Sequence, residues 1–303
     1  MILITGGSGY LGGRITKYLR QQGFKVRVGS RKGSVNTLEI DFSSDLSLEA
    51  SCKGVDQIIH LAGMNAHSCQ KDPESSLLIN GLGTLKLLEA AEKEGVSKFI
   101  YFSTAHVYGS PLEGKIDENS LTKPLGHYSI SHRVAEDYVI EANQNKNISG
   151  TVFRLTNSVG APILPITDCW MLVVNDLCRQ VVINKHMSLY SNEFVQRDYV
   201  PISSVCKVIN STLLSDMLSG EIVNLSSGIG LSLRELTNLI VDRSQIVLGY
   251  KPSVNFNTTS ANENNQKLII SNRKLKEFGI EVEVDLSKEI DEILLNCVHW
   301  FLE

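Results

Sequence analysis

Glycines at positions 6, 9 and 12 follow the apolar run Ile2-Leu3-Ile4-Thr5 and precede a helical stretch from Arg14 to Gln22. That spacing can hold a pyrophosphate. Gly6 lets the chain turn tightly off the strand, Gly9 lets backbone approach the phosphates, and Gly12 lets the helix pack on the sheet. The helix start then presents unpaired N–H groups to the anion. Spaced glycines alone are a weak signal, but a strand before and a helix after make Gly6 to Gly12, with Ser8, Tyr10 and Leu11 between, a dinucleotide-binding loop.

The end of the second strand distinguishes the two nicotinamide dinucleotides, since an NAD protein places Asp or Glu there for the ribose hydroxyls. Here the residues are Ser30-Arg31-Lys32. A hydroxyl followed by two cations suits a 2′-phosphate, so NADP is expected over NAD. The competing reading is that Arg31 and Lys32 are ordinary solvated loop charges. Asp41 and Phe42, after the third strand, are candidates for the adenine, or Asp41 is a cap.

The elements needed to position this loop are legible. Short apolar runs at Lys25–Gly29, Leu38–Asp41, Gln57–Ala62, Lys98–Ser103 and Gly150–Leu155 alternate with helical patterns, which predicts an α/β fold with a parallel sheet wrapped by helices. Leu82, Leu85, Leu88 and Ala91 predict a helix ending near Gly95, and a second helix is expected from about Tyr128 to Glu141. After Asn157 the pattern loosens. Residues 1–160 are expected to form the dinucleotide-binding domain, and 161–303 a smaller, mainly substrate-binding region from which elements near 186–226 return to the main domain. Leu286, Ile290, Ile293, Leu294, Cys297 and Phe301 predict a final core-facing helix, and the polar stretch Asn255 to Gln266 a surface loop.

Bulk composition narrows the partners. The chain has 303 residues, net charge −4 and pI near 6.0, without a basic run of the kind nucleic acid requires. Its six cysteines lie scattered, with no Cys-x-x-Cys, which argues against a zinc site and a disulfide framework. No apolar run reaches the roughly eighteen residues of a membrane helix. The first strand starts at Met1, so no signal peptide is expected and the cytoplasm is the expected location.

Six further segments occur in an order and spacing that resemble the extended short-chain dehydrogenases acting on nucleotide sugars. They are His60-Leu61-Ala62-Gly63, Asn80-Gly81-Leu82-Gly83-Thr84, Ser103-Thr104-Ala105-His106-Val107-Tyr108-Gly109, Tyr128-Ser129-Ile130-Ser131-His132, Arg154-Leu155-Thr156-Asn157 and Arg197-Asp198-Tyr199-Val200. The resemblance covers nearly the whole chain. It implies a Rossmann-type doubly wound sheet, with Leu61, Ala62, Gly63, Asn80, Ser103, Tyr128 and His132 at the cofactor.

It also implies a proton-transferring tyrosine, matched by Tyr128, and a Ser/Thr bonding the same substrate oxygen, matched by Thr104. A free tyrosine titrates near 10. The family lowers this with a lysine one helical turn on, but here that position is His132. Three readings follow: His132 substitutes as a cation or hydrogen-bond bridge, Arg133 partly covers the charge, or the site binds cofactor and turns over poorly. Family dehydratases carry Asp and Glu after this Thr, whereas the chain has Ala105 and His106, so dehydration is not expected. His106 matches a cysteine proton carrier in epimerase-reductases that make GDP-fucose, or is a histidine satisfied by nearby backbone. Asn157 matches a sugar or phosphate contact and Arg197 a diphosphate clamp, unless Arg197 pairs with Asp198. Trp170 stands where some relatives have a phosphate-binding Asn.

The resemblance thus implies an NADP(H)-dependent reductase of a 4-keto nucleotide sugar with Tyr128 as proton donor, or a nucleotide-sugar 4-epimerase. A reading of another class is a sensor of NADP or of a sugar nucleotide without turnover. A homodimer through the helices near 80–95 and 128–141 is also implied.

Overall fold

A computed structural model of the chain describes residues 1–145, 148–257 and 267–302. Seven parallel strands form the central sheet: β1 (Ile2–Thr5), β2 (Val26–Ser30), β3 (Leu38–Glu39), β4 (Gln57–His60), β5 (Lys98–Thr104), β6 (Ser149–Leu155) and β7 (Glu221–Leu225). Their spatial order is β7-β6-β5-β4-β1-β2-β3, the order of a Rossmann-type sheet extended by β7 at one edge. Chain direction across the sheet reverses between β1 and β4, and the crevice above that point is where such sheets take ligands.

Strand alternation divides the core between two faces. Ile2 and Ile4 of β1 point to helices Tyr10–Gln21 and Ile202–Leu214, where Ile15, Leu19, Val205 and Ile209 cover them. Leu3 points the other way, into Leu48, Leu87, Leu88, Ala91 and Val139 of helices Asp45–Cys52, Gly83–Lys93 and His127–Asn145. With both faces covered, β5 is buried along its whole length, which explains why its sequence reads as a continuous apolar run. A third cluster joins helices Val173–Asn184, Leu233–Leu248 and Ser287–Phe301 through Leu177, Val181, Leu236, Ile240, Ile290 and Leu294. Arg14 ties this cluster to the first helix, donating to Ala161 O at 3.0 Å, Glu292 at 3.1 Å and the buried Glu289 at 3.1 Å.

Several expected boundaries move. The first helix already begins at Tyr10. The third strand is only Leu38–Glu39, because Asp41 turns back to accept from Ser43 N and Oγ. Leu82 does not join the buried stripe: a π-helical segment, Leu77–Leu82, precedes the α-helix and shifts its phase, so Leu87, Leu88, Ala90 and Ala91 are buried while Leu82 is exposed. Of the expected loop Asn255 to Gln266, Asn255 and Phe256 belong to the strand Ser253–Phe256, paired with His186–Leu189; residues 258–266 lie outside the described residues.

Candidate active site

The glycine loop has the geometry its spacing requires. Gly6 adopts φ +68°, and a Cβ there would stand 2.9 Å from Ala62 N. A Cβ on Gly12 would fall 2.3 Å from Gly6 O, so helix and loop approach this closely only without a side chain. Gly9 is the N-cap and no side chain caps the first turn, which leaves its N–H groups toward the open side beside exposed Ser8. Leu61, Ala62 and Gly63 leave β4 next to it, Ala62 N donating to Thr5 Oγ1 at 3.3 Å. This cradle fits a pyrophosphate, with Gly6 to Gly12 and the 61–63 turn as its walls.

Other expected cofactor residues divide into those that face this crevice and those that support it. Asn80 is 1% exposed; its side chain accepts from Met64 N at 2.8 Å and donates to Ser131 Oγ at 3.0 Å, so it shapes the loop after β4. Ser103 points beneath the sheet end and donates to Glu136 at 2.5 Å. Phe42 packs its ring 5.6 Å from that of His60 and against Gly83. Ser30 Oγ donates to Lys32 O at 2.6 Å, and Arg31 and Lys32 are exposed without a salt bridge among the described residues. Glu39 pairs in register with Ser30, which puts one carboxylate at the same strand end.

A cavity of about 720 Å³ opens where the strands end and continues into the third cluster; Tyr10, Thr104, His106, Tyr128, Asn157 and Arg197 line it. Thr104 ends β5, and its hydroxyl accepts from His106 N at 3.2 Å. Tyr128 enters from the first turn of helix His127–Asn145, which starts behind Gly126, a glycine at φ +89°. Burial pushes the Tyr128 phenol up to about 12, the Cys69 thiol adds to this, and a hydrogen bond with Thr104 opposes it. His132 lies one turn on, its ring edge-on to Tyr128 with centroids 4.4 Å apart at 66°.

His132 is 8% exposed and burial holds its pKa down at about 4, so the imidazole is neutral at ordinary pH. Its Nδ1 meets the Tyr101 hydroxyl at 2.6 Å. Arg133 supplies no charge here, because its guanidinium turns to Asp137 and Glu136. Partial burial lowers His106, the Arg197 guanidinium adds to this, and a hydrogen bond to backbone at Gly109 opposes it.

The substrate side resolves two ambiguities. Residues 197 and 198 alternate along the strand Gln196–Pro201 and face opposite ways. Asp198 is buried and accepts from Thr156 Oγ1 at 2.6 Å, Ser227 N at 2.9 Å, Ser227 Oγ at 2.8 Å and Gly228 N at 3.0 Å. Arg197 is therefore not its partner, and among the described residues no carboxylate forms a salt bridge with Arg197. Asn157 lines the cavity while its amide donates to Asp198 O at 2.8 Å. Trp170 does not line it: its Nε1 donates to Pro165 O at 2.8 Å and its ring packs against Trp300 and Phe301 of the last helix. Leu172 and Asn175 form the wall there instead.

Three features escaped the sequence reading. Asn175, fully buried, donates to Gly160 O and accepts from Tyr10 OH at 3.2 Å, which links the glycine loop to the far wall. Glu136 and Arg154 form a buried two-pronged pair at 2.7 and 3.0 Å under β5. Tyr101 reads as one more aromatic in an apolar strand. Only Glu136, a charge on the apolar face of a helix, carried a signal.

With this geometry in hand, comparisons with known proteins are informative. The profile of the NAD dependent epimerase/dehydratase family matches residues 2–226. A Methanocaldococcus jannaschii protein provisionally named UDP-glucose 4-epimerase is 26% identical over 306 residues, covering 97% of each chain. The GDP-6-deoxy-D-mannose reductase of Pseudomonas aeruginosa is 29% identical over 257 residues, covering 82% of this chain and 81% of its own. The solved structure of RMD from Pseudomonas aeruginosa complexed with NADPH superposes with a TM-score of 0.81 over 98% of both chains, at 24% identity.

Proposed function

The chain belongs to the NAD dependent epimerase/dehydratase family, and from that premise we propose that it is an NADPH-dependent reductase of a 4-keto nucleotide sugar. The observation that carries this reading is the packing of the Tyr128 ring against His132, centroids 4.4 Å apart, where burial pushes the phenol up and the imidazole down. Reduction of a keto group asks the tyrosine only to give a proton to the sugar oxygen, and a phenol pushed up to about 12 is in the proton-giving form. Oxidation, the opening step of 4-epimerisation, asks it to take one, which requires tyrosinate and a cation to stabilise it. No cation stands at that position.

A bound nicotinamide cofactor supplies the reducing equivalents. Gly6 to Gly12 hold its pyrophosphate, the exposed Arg31 and Lys32 suit a 2′-phosphate, and Thr104 holds the sugar oxygen in line with Tyr128. Arg197, at the cavity wall and without a salt bridge among the described residues, suits the substrate diphosphate, for which a planar fork is well shaped. The family reductase from Pseudomonas aeruginosa is in keeping with this assignment. The test is NADPH oxidation with a panel of 4-keto nucleotide sugars. Turnover supports the reading; tight binding without turnover across the panel would make the protein a sensor.

His106 supports a second reading, epimerisation, because its imidazole stands on the cavity wall near Thr104 and can move a proton at a ring carbon. His106→Gln would then abolish epimerisation and spare reduction. Exposed Leu77, Leu78, Leu82 and Ile130 give two neighbouring helical segments an apolar outer face, which supports a homodimer, tested by light scattering.

A further inference from the structure

We propose that Tyr101 is the positioning residue of this site: it donates its hydroxyl hydrogen to His132 Nδ1 and so holds His132 as the neutral Nε2–H tautomer, whose remaining N–H serves as donor to a hydroxyl of the cofactor's nicotinamide ribose. The proposal deepens the reading of Tyr128 and His132 given above and rests on it.

β4 and β5 pair His60 with Tyr101, and both side chains point to the face covered by helix His127–Asn145. His132 faces back from that helix, and the Tyr101 hydroxyl lies 2.6 Å from Nδ1. Tyr101 is 2% exposed, and Nδ1 is its hydroxyl's partner among the described residues. Two arrangements share this distance. If Nδ1 carried the hydrogen, it would donate to the phenol oxygen, and the phenol's own hydrogen would be left buried without an acceptor. If the phenol donates, its hydrogen and the Nδ1 lone pair satisfy each other. The second arrangement is the one that buried polar groups adopt, and it puts the imidazole hydrogen on Nε2.

The surroundings hold the ring neutral. Glu136, one turn on, is taken by Arg154 and Ser103. His60 is taken on both nitrogens, at 2.6 Å by Thr5 Oγ1 and at 3.1 Å by Thr84 Oγ1. Cys69 lies on the Tyr128 side, and Arg133 faces away. Among the described residues no carboxylate is therefore placed to stabilise an imidazolium, in keeping with a pKa held down at about 4. A lysine carries three donors on one ammonium and needs no partner to choose among them. A histidine has one N–H in either of two places, so replacing the family's lysine requires a second residue to fix which one.

The experiment is NMR of protein labelled with nitrogen-15 histidine, recorded without any sugar, with His132→Gln used to assign the signal. The expected spectrum shows His132 protonated on Nε2 and bare on Nδ1. Tyr101→Phe keeps the ring and removes the donor; it is expected to mix the two tautomers and weaken NADPH binding roughly three- to tenfold, the range for one hydrogen bond. The KM for NADPH should rise more than kcat falls. A wild-type spectrum with the hydrogen on Nδ1, or a Tyr101→Phe protein with unchanged His132 shifts and NADPH affinity, overturns the proposal. The wild-type spectrum needs no variant to fold. Inactivity toward every keto sugar would overturn the reductase reading and leave the tautomer result standing.

Discussion

The Tyr128 and His132 rings pack edge to face with their centroids 4.4 Å apart, where the family resemblance implies a lysine ammonium. On the proposed function, the proton donor therefore sits against a ring that burial keeps neutral.

Replacing that ring tests whether it is adapted or merely tolerated. His132→Ala is expected to lower keto-sugar reduction about tenfold and to weaken NADPH binding, while His132→Lys gives no gain in reduction. Stopped-flow NADPH consumption measures both. A lysine variant well above wild type, with a shifted pH optimum, would show that the native histidine impairs the chemistry.

Replacing Tyr128, the proposed proton donor, should act on chemistry and not on binding. Tyr128→Phe is expected to cut kcat by about 10²–10⁴ with little change in NADPH affinity, and Thr104→Ala to cut it less. Equal losses in affinity and kcat would place Tyr128 in the binding of cofactor instead.

Acid should destabilise the fold through two buried histidines. Burial holds His60 at about 3 and His132 at about 4, against about 6.5 in the unfolded chain. With the folded pKa depressed, stability is full above about pH 6.5 and is lost as pH falls toward the folded values, by an amount on the order of a few kcal/mol. Urea midpoints across this window measure the loss, and His60→Gln should flatten its slope. A midpoint that stays level from about pH 6.5 to about 4 contradicts neutral burial.

Cofactor choice should depend on the loop after β2. Arg31→Ala is expected to lower NADP over NAD preference about tenfold, the effect of losing one charge-assisted contact to the 2′-phosphate. Glu39→Gln, which removes the nearby carboxylate, should move preference the other way. Dissociation constants for both cofactors decide it, and unchanged discrimination sinks the assignment of NADP.

The buried Glu136 and Arg154 pair lies directly beneath β5. Arg154→Met removes the two-pronged partner of the buried carboxylate, leaving the more distant Arg133 as its ion-pair partner, and is expected to destabilise the fold by about 3 kcal/mol, read from thermal or urea unfolding. A double variant, Glu136→Leu with Arg154→Met, should recover much of that loss.

What could be read from the chain alone is what depends on local spacing. Glycines three apart between a strand and a helix specify a turn whose geometry only glycine allows, and alternation of apolar strands with helical patterns specifies a doubly wound sheet. Tyr128 and His132 share a helix face because they are one turn apart, whatever surrounds them. Tertiary structure decided what required two distant segments to meet. Asp198 bonds Ser227 and Gly228 instead of its neighbour Arg197, Trp170 turns to the last helix, and Tyr101 reaches His132 across 31 residues. Strand direction sets these pairings by choosing a side for each residue, and packing then sets which partner waits there. That is why the cradle was legible early, while the burial of the ring beside Tyr128 and its Tyr101 partner emerged only from the fold.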